Sequence, residues 1–154
     1  ALQVDAIHHT LRSLADMGRH YDQLLLLQPT APFRKAEDIR GALAMHKDHE
    51  ADTVISITDI AGKHPAILYR RDEEGRLTPY LDTGARGINR QNLDVLYWRT
   101  GGIYVIKPSL ILESKAIYGD LVMGYEVGEE TCFNIDTMFD WELAEAWACY
   151  KSSA

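Results

Sequence analysis

One short segment, LLLLQPTAPFR at residues 24–34, constrains the fold more than any other part of the chain. Its four leucines, Leu24–Leu27, are too few for a membrane span and are typical of a strand buried on both faces of a parallel sheet. Two prolines follow, and because proline lacks an amide hydrogen they predict a turn directly after the strand. Ligands of open α/β sheets bind beyond the carboxyl ends of the strands, so Gln28, Thr30 and Arg34 are candidate site residues. The alternative is an ordinary strand exit without a ligand.

The remaining sequence alternates between helical and strand patterns. Apolar spacing predicts helices over residues 5–17, 35–49, 108–115 and 139–151. Alternating or β-branched runs predict strands over 23–27, 53–58, 101–106 and 121–126, and a hairpin formed by 67–70 and 76–81. Helices that alternate with strands indicate βαβ packing on a mainly parallel sheet, and hence an α/β fold. The loop 82–93, which lacks apolar periodicity, is expected to be mobile or stabilised by a partner.

Length and charge narrow the classes of function. A chain of 154 residues suits a single domain, and we expect no further domain within residues 1–154. The net charge of −7 argues against a general nucleic-acid surface. Between Tyr80 and Lys107, however, four basic residues stand against two acidic ones. A basic island in an acidic protein favours a small anionic ligand, although a solvated loop would have the same composition.

Cysteine usage and hydropathy predict a cytoplasmic protein. No apolar run approaches the length of a membrane span, and the first residues lack the order of a signal peptide. Cys132 and Cys149 have neither ligand nor redox spacing, so we expect free thiols in a reducing compartment. His46 and His49 have a spacing that a transition-metal site permits, but a polar helix end is the better interpretation.

Four segments, found in a fixed order along the chain, resemble the motifs of one enzyme family. They are Leu26–Arg34, Asn89-Arg90-Gln91, Thr100–Tyr104 and Asn134–Glu145. They are similar to the elements L-L-Q-P-T-S-P-x-R, R-Q, N-G-A-I-Y and D-I-D-T-x-x-D-W-x-x-A-E of the acylneuraminate cytidylyltransferases, the CMP-sialic acid synthetase family. The resemblance extends over nearly the whole chain, and its fourth motif is the most specific.

The resemblance implies a fold and a reaction. The fold is a three-layer Rossmann-like nucleotidyltransferase fold with a mainly parallel sheet and a β-hairpin dimerisation extension at about residues 67–96. The reaction is the attack of a sialic-type sugar acid on the α-phosphate of CTP, with Mg²⁺ assisting and pyrophosphate leaving. The expected partners are CTP, the sugar acid and a second copy of the chain, with no nucleic acid and no membrane.

The resemblance also implies roles for individual residues. Asp136 would bind the metal together with Asn134, which stands where the family has an aspartate and so adds no negative charge. Arg90, beside Gln91, would bind the sugar carboxylate through its guanidinium fork. The remaining candidates for the substrate are Gln28, Thr30, Arg99 and Tyr104.

Each of these roles has a plainer alternative. Asp136 could be the N-cap of the last helix, and Arg90 a surface arginine. Gln28 could be an amide that closes its own turn, and Tyr104 a core aromatic. Arg99 lies one residue away from the basic position of the family.

The sequence departs from the family in two further respects. The pair His64-Pro65 is not followed by the lysine that some relatives carry, so we expect the accepted sugar to differ, with legionaminic, pseudaminic and 3-deoxy-octulosonic acid as the alternatives. No segment resembles the family's N-terminal motif for the CTP phosphates, and no strand precedes the first helix. We therefore expect N-terminal strands to be missing, and a non-catalytic module for sugar binding or dimerisation is the alternative function.

Overall fold

The computed structural model describes residues 3–60, 64–81 and 94–153. Arg90 and Gln91, and the loop 82–93 that contains them, lie outside these ranges, so the predictions made for them stay predictions. Within the described ranges, no helix combines the length and the apolar character that a bilayer crossing requires.

Helices and strands alternate as the sequence patterns predicted. The four helices of the described residues are α1 (Gln3–Asp16), α2 (Ala36–Asp48), α3 (Pro108–Ser114) and α4 (Met138–Ser153). The strands are β1 (Leu24–Leu27), β2 (Thr53–Asp59), β3 (Tyr69–Arg71), β4 (Leu77–Pro79), β5 (Tyr97–Ile106) and β6 (Val122–Glu126). Short 3₁₀ helices cover Pro65–Ile67 and Glu129–Thr131. The largest error in a boundary concerns β5, which begins four residues before the predicted Gly101.

The central sheet has the strand order β1-β5-β2-β6. β1 pairs with β5 in antiparallel register, with Leu24 opposite Ile106, and β2 pairs with β6 in parallel. The amide of Lys107, just after β5, donates to the carbonyl oxygen of Asp52, just before β2, and the amide of Ile60, just after β2, donates to Leu96, just before β5. Each strand therefore ends where the other begins, so β5 is also antiparallel to β2. Three of these four strands are therefore parallel to one another, and the predicted Rossmann-like α/β fold is confirmed. β1 and β2 are not neighbours, however, because β5 lies between them.

Apolar residues cover both faces of this sheet and make three layers. On one face, α2 packs through Ala42 and its neighbours against Val54, Ile103 and Val105. On the other face, α1 and α3 pack through Leu11 and Ile111 against Tyr104, Ile106 and the leucines of β1. Full burial of a side chain such as Ile106 contributes about 2 kcal/mol. The leucines of β1 alternate between the two layers, as a strand covered on both faces requires.

The chain divides into two compact units, one made of Ala1–Thr58 with Arg99–Ala154 and the other of Asp59–Trp98. Within the second unit, β3 and β4 form an antiparallel hairpin with Tyr69 opposite Pro79. Asp72 closes its turn, because its carboxylate accepts hydrogen bonds from the amides of Glu74 and Arg76. The predicted hairpin is thereby confirmed.

Candidate functional site

The turn after β1 is held by its own main chain and by an arginine. The carbonyl oxygen of Gln28 accepts a hydrogen bond from the amide of Ala31 at 3.2 Å and another from Nη1 of Arg34. Burial lowers the pKa of Arg34, although a guanidinium group stays protonated in proteins. The Gln28 side-chain amide makes no hydrogen bond within the described part of the chain. Arg34 closes the turn, and the half-buried Gln28 side chain is left available to a ligand.

An irregularity in β5 brings the third motif beside this turn. Gly101 has a φ of +75°, in the left-handed region that favours glycine. Thr100 and Ile103 face the same side of the sheet: the hydroxyls of Thr100 and Ser56 are 2.7 Å apart, and the Ile103 side chain packs with Val54, which lies two residues before Ser56 on β2. Two residues three apart share a face only if the strand contains one extra residue, so Gly101 lies in a β-bulge. A Cβ on Gly101 would lie 3.8 Å from Oε1 of Gln28.

Three contacts join the turn to the segment that carries the fourth motif. The amide of Ile135 donates to the carbonyl oxygen of Thr30 at 2.8 Å. The rings of Phe33 and Phe133 meet edge to face with centroids 5.9 Å apart, and Lys35 forms an ion pair with Glu130. The first, third and fourth motifs therefore meet at one end of the sheet, where β1 and β2 end and β5 begins.

The start of α4 is a capping box. The Thr137 hydroxyl accepts from the amide of Asp140 at 3.2 Å, and the Asp140 carboxylate accepts from the amide of Thr137 at 2.7 Å. The hydroxyl of Thr137 and the amides of Asp136 and Thr137 hold the pKa of Asp140 below its ordinary value. The alternative of Asp136 as the N-cap is therefore wrong, because Thr137 occupies that position. Asp136 remains exposed beside the cap.

Asp136 and Asn134 were the residues predicted to bind a metal. Nδ2 of Asn134 donates to Oδ2 of Asp136 at 2.8 Å, while Oδ1 of Asn134 is buried and has no hydrogen-bond partner. In the described residues, no cluster of three or more histidine, cysteine or acidic side chains could hold a metal alone. Mg²⁺ is commonly bound through one or two carboxylates together with waters and substrate phosphates, so Asp136 fits it as a single ligand. In this arrangement Asn134 orients the carboxylate, and its own oxygen faces the interior.

Tyr104 and Arg99 lie on the α1 and α3 side of the sheet. The Tyr104 ring is 4% exposed and belongs to the core, which agrees with its plainer alternative. Burial raises the pKa of Tyr104. Arg99 is exposed and donates a hydrogen bond through Nη1 to the hydroxyl of Tyr118. This bond raises the pKa of Arg99 and fixes the direction of its guanidinium group.

Sequence reasoning missed the residues that hold this site in place. Ser56 lies inside a β-rich run, and only its small polar side chain among valine and isoleucine could have drawn attention to it. Tyr118 follows a helix end and has no motif around it. The pairing of Thr137 with Asp140 could have been found, because a threonine followed three residues later by an acid is a capping signal.

Curated proteins of known activity resemble this chain. It is 33% identical over 146 residues to CMP-N,N'-diacetyllegionaminic acid synthase of Legionella pneumophila, covering 92% of this chain and 61% of that protein. It is 28% identical over 119 residues to N-acylneuraminate cytidylyltransferase of Streptococcus agalactiae serotype V, covering 77% of this chain and 28% of that protein. The protein of the same name from Escherichia coli is 28% identical over 145 residues, covering 94% of this chain and 33% of that protein.

These relatives are longer than the chain, which spans between 28% and 61% of their lengths. No protein-family profile matches the sequence. The similarity therefore rests on the individual relatives and on the motifs that the structure brings together.

Proposed function

We propose that the chain, which is similar to acylneuraminate cytidylyltransferases over most of its length, belongs to that family and forms the sugar-binding side of an active site. The enzyme would transfer CMP from CTP to a sialic-type nonulosonic acid and release pyrophosphate. The hydrogen bond from Ile135 to Thr30 carries the proposal, because it places Asp136 beside the turn that presents Gln28. Asp136, proposed to act on the phosphates through magnesium, and Gln28, proposed to bind the sugar acid, then lie at the same end of the sheet.

The proposed roles follow from the chemistry of each side chain. The Gln28 amide offers donors and an acceptor to the hydroxyl or N-acyl groups of a sugar, and the Arg34 bond to its main chain keeps it in position. Arg99, aimed by Tyr118, and Arg90 beside Gln91 are proposed to bind the sugar carboxylate, since guanidinium groups match carboxylates.

Asp136 is the proposed ligand of a magnesium ion. A bound Mg²⁺ would neutralise charge on the phosphates during transfer. The Asn134 amide keeps the Asp136 carboxylate oriented, and the exposed position of that carboxylate leaves room for phosphate oxygens and waters.

A second copy of the chain is proposed as the partner of the hairpin unit. A two-stranded hairpin is marginally stable by itself, and every residue of β3 and β4 is exposed. Large apolar side chains are among them, with Tyr69 58% exposed and Leu77 61% exposed. A matching hairpin from a second copy would cover these side chains.

The test uses the full-length protein that contains this chain. We expect pyrophosphate release that requires CTP, Mg²⁺ and a nonulosonic acid, measured over N-acetylneuraminic, legionaminic, pseudaminic and 3-deoxy-octulosonic acids. Asp136→Asn should abolish turnover, whereas the exposed Asp48→Asn on α2 should leave it unchanged. The proposal fails if no acid in the panel is turned over, or if both variants behave alike.

A non-catalytic module that binds a sugar acid is the second candidate. It is favoured by the observation that Asn134 supplies no charge and that Asp136 is the one carboxylate of this pair. Calorimetry separates the two functions: a module would bind the sugar acid and give no heat with CTP and Mg²⁺, whereas an enzyme would bind both.

A further inference from the structure

A second cluster of polar residues lies at the opposite end of the central sheet, where β1 and β2 begin and β5 ends. A cavity of about 630 Å³ opens there. Its lining residues come from the end of α2 and from the connections before β1, before β2 and after β5: Asp22, Gln23, His46, Lys47, Glu50, Ala51 and Lys107. His46 is 5% exposed and is the one histidine among the buried polar residues of the described ranges.

Gln23 joins His46 to the start of β1. The side-chain nitrogen of Gln23 lies 2.9 Å from the carbonyl oxygen of Leu43 and 3.1 Å from Nδ1 of His46. The Leu43 carbonyl can only accept, so it fixes the Gln23 amide with its nitrogen toward α2. The second hydrogen of that nitrogen then points at Nδ1, which must accept. His46 is therefore neutral and carries its proton on Nε2, which is buried.

A second proton on His46 cannot be accommodated in this arrangement. With both ring nitrogens protonated, Nδ1–H would face an N–H of Gln23, and two donors cannot bond. A flip of the Gln23 amide would offer its oxygen to Nδ1–H but would bring that oxygen against the Leu43 carbonyl. Either way, one of the two hydrogen bonds between Gln23 and α2 is lost.

The charges that face His46 do not reverse this preference. Burial lowers the pKa of His46 most strongly, and the positive charge of Lys107 lowers it further. The carbonyl and carboxylate of Asp52 oppose the shift without cancelling it. Besides these groups, the charged residues around the cavity are Asp22, Lys47 and Glu50.

We propose that His46 is a pH-sensitive latch. While His46 is neutral, its hydrogen bond with Gln23 holds the start of β1 against α2, and protonation of His46 breaks this arrangement and releases β1. β1 suits such a switch, because it is four residues long. A strand of this length has few backbone hydrogen bonds to lose when it opens locally. The same strand leads into Gln28, so its release would also loosen the turn of the candidate site.

The direction of the effect follows from linkage. The pKa of His46 lies below its ordinary value of 6.5 in the folded state. The stabilisation is therefore fully present above pH 6.5 and is lost as the pH falls from 6.5 through the lower folded value. Each pKa unit between the folded and unfolded values corresponds to about a tenfold change in the opening equilibrium.

The latch can be tested on this chain by hydrogen–deuterium exchange between pH 7.5 and pH 5, after correction for the intrinsic exchange rate. Backbone amides of β1 should lose protection as the pH falls, whereas those of β2 should not. His46→Asn keeps an acceptor near the position of Nδ1 but cannot take up a proton, so its β1 should keep the same protection throughout. His20→Asn removes an exposed histidine three residues before Gln23 and should leave the wild-type loss intact.

A measurement on the unmodified chain guards against a variant that fails to fold. In a nitrogen-15 NMR titration, His46 should hold its proton on Nε2 at pH 7.5, and its pKa should lie below its ordinary value of 6.5. The latch is refuted if the pKa of His46 is not below 6.5, if β1 keeps its protection in the wild type at low pH, or if His46→Asn loses that protection in the same way.

Discussion

Replacing Gly101 by alanine tests whether the β5 bulge depends on a left-handed glycine. At a φ of +75° an alanine pays the steric cost of its Cβ against the following carbonyl, about 1–2 kcal/mol. Steric crowding adds little, because the nearest atom to the new Cβ would be Oε1 of Gln28 at 3.8 Å, an ordinary contact. The alanine also restricts the unfolded chain, which offsets about 0.4–1 kcal/mol. We expect a net destabilisation of about 1 kcal/mol.

Gly102 provides a matched control one residue away. Its φ is not in the left-handed region, and a Cβ there would meet Ala31, Ser56 and Thr100 at 3.6 Å, again ordinary contacts. Gly102→Ala should therefore change the stability by less than about 0.5 kcal/mol, or raise it slightly through the unfolded state.

Urea unfolding of the two variants and the parent chain measures this difference. Gly101→Ala should lower the midpoint with an unchanged m-value, and its Tm should fall by about 2–4 °C. The bulge also sets the distance to Gln28, so this variant should weaken binding of the sugar acid more than Gly102→Ala does. Equal losses of stability in both variants, or a neutral Gly101→Ala, would refute the argument from φ.

Three further outcomes are expected. Thr137→Ala removes one half of the capping box and should cost about 1 kcal/mol in urea unfolding, without changing the m-value. Because the pKa of Asp140 is lowered in the folded state, its carboxylate stabilises the fold above about pH 3.8, and this stabilisation is lost as the pH falls through the pKa of the folded state. Asp140→Asn should therefore flatten the dependence of Tm on pH between about 2 and 5. Tyr118→Phe should change stability by less than about 0.5 kcal/mol, yet raise the KM for the sugar acid in the full-length protein because Arg99 loses its partner; an unchanged KM would remove Arg99 from the proposed site.

Local patterns predicted the type of nearly every element of this fold. The strands at 24–27 and 53–59 could be recognised because β-branched and leucine runs bounded by turn residues have few other interpretations. The order of the sheet could not be predicted in the same way. β5 lies between β1 and β2 although it is distant from both in sequence. No sequence pattern in β1 or β2 indicates that β5 is their common neighbour.

Local patterns also predicted part of the candidate site. The proline turn after β1 placed Gln28 and Thr30 at a sheet end from local information alone. Tyr104 was harder, because a strand residue faces one side or the other according to register. The bulge at Gly101 inserts one residue and changes the faces of every residue before it. A sequence pattern that assumes regular alternation therefore misplaces Thr100 relative to Ile103.

A motif shared with a family can mix residues whose side chains hold the fold together with residues whose polar groups have no internal partner, and the hydrogen bonds of the described residues distinguish these two kinds here. Within Leu26–Arg34, Arg34 bonds to the main chain of Gln28, and within the fourth motif Thr137 and Asp140 bond to each other. These side chains are occupied by the fold. The side-chain amide of Gln28 and one carboxylate oxygen of Asp136 have no hydrogen-bond partner among the described residues, whereas the other Asp136 oxygen accepts from Asn134, and both residues lie at the end of the sheet where the motifs meet. A substitution at Arg34 should therefore disturb the site through the position of Gln28, whereas one at Asp136 should act on the chemistry itself.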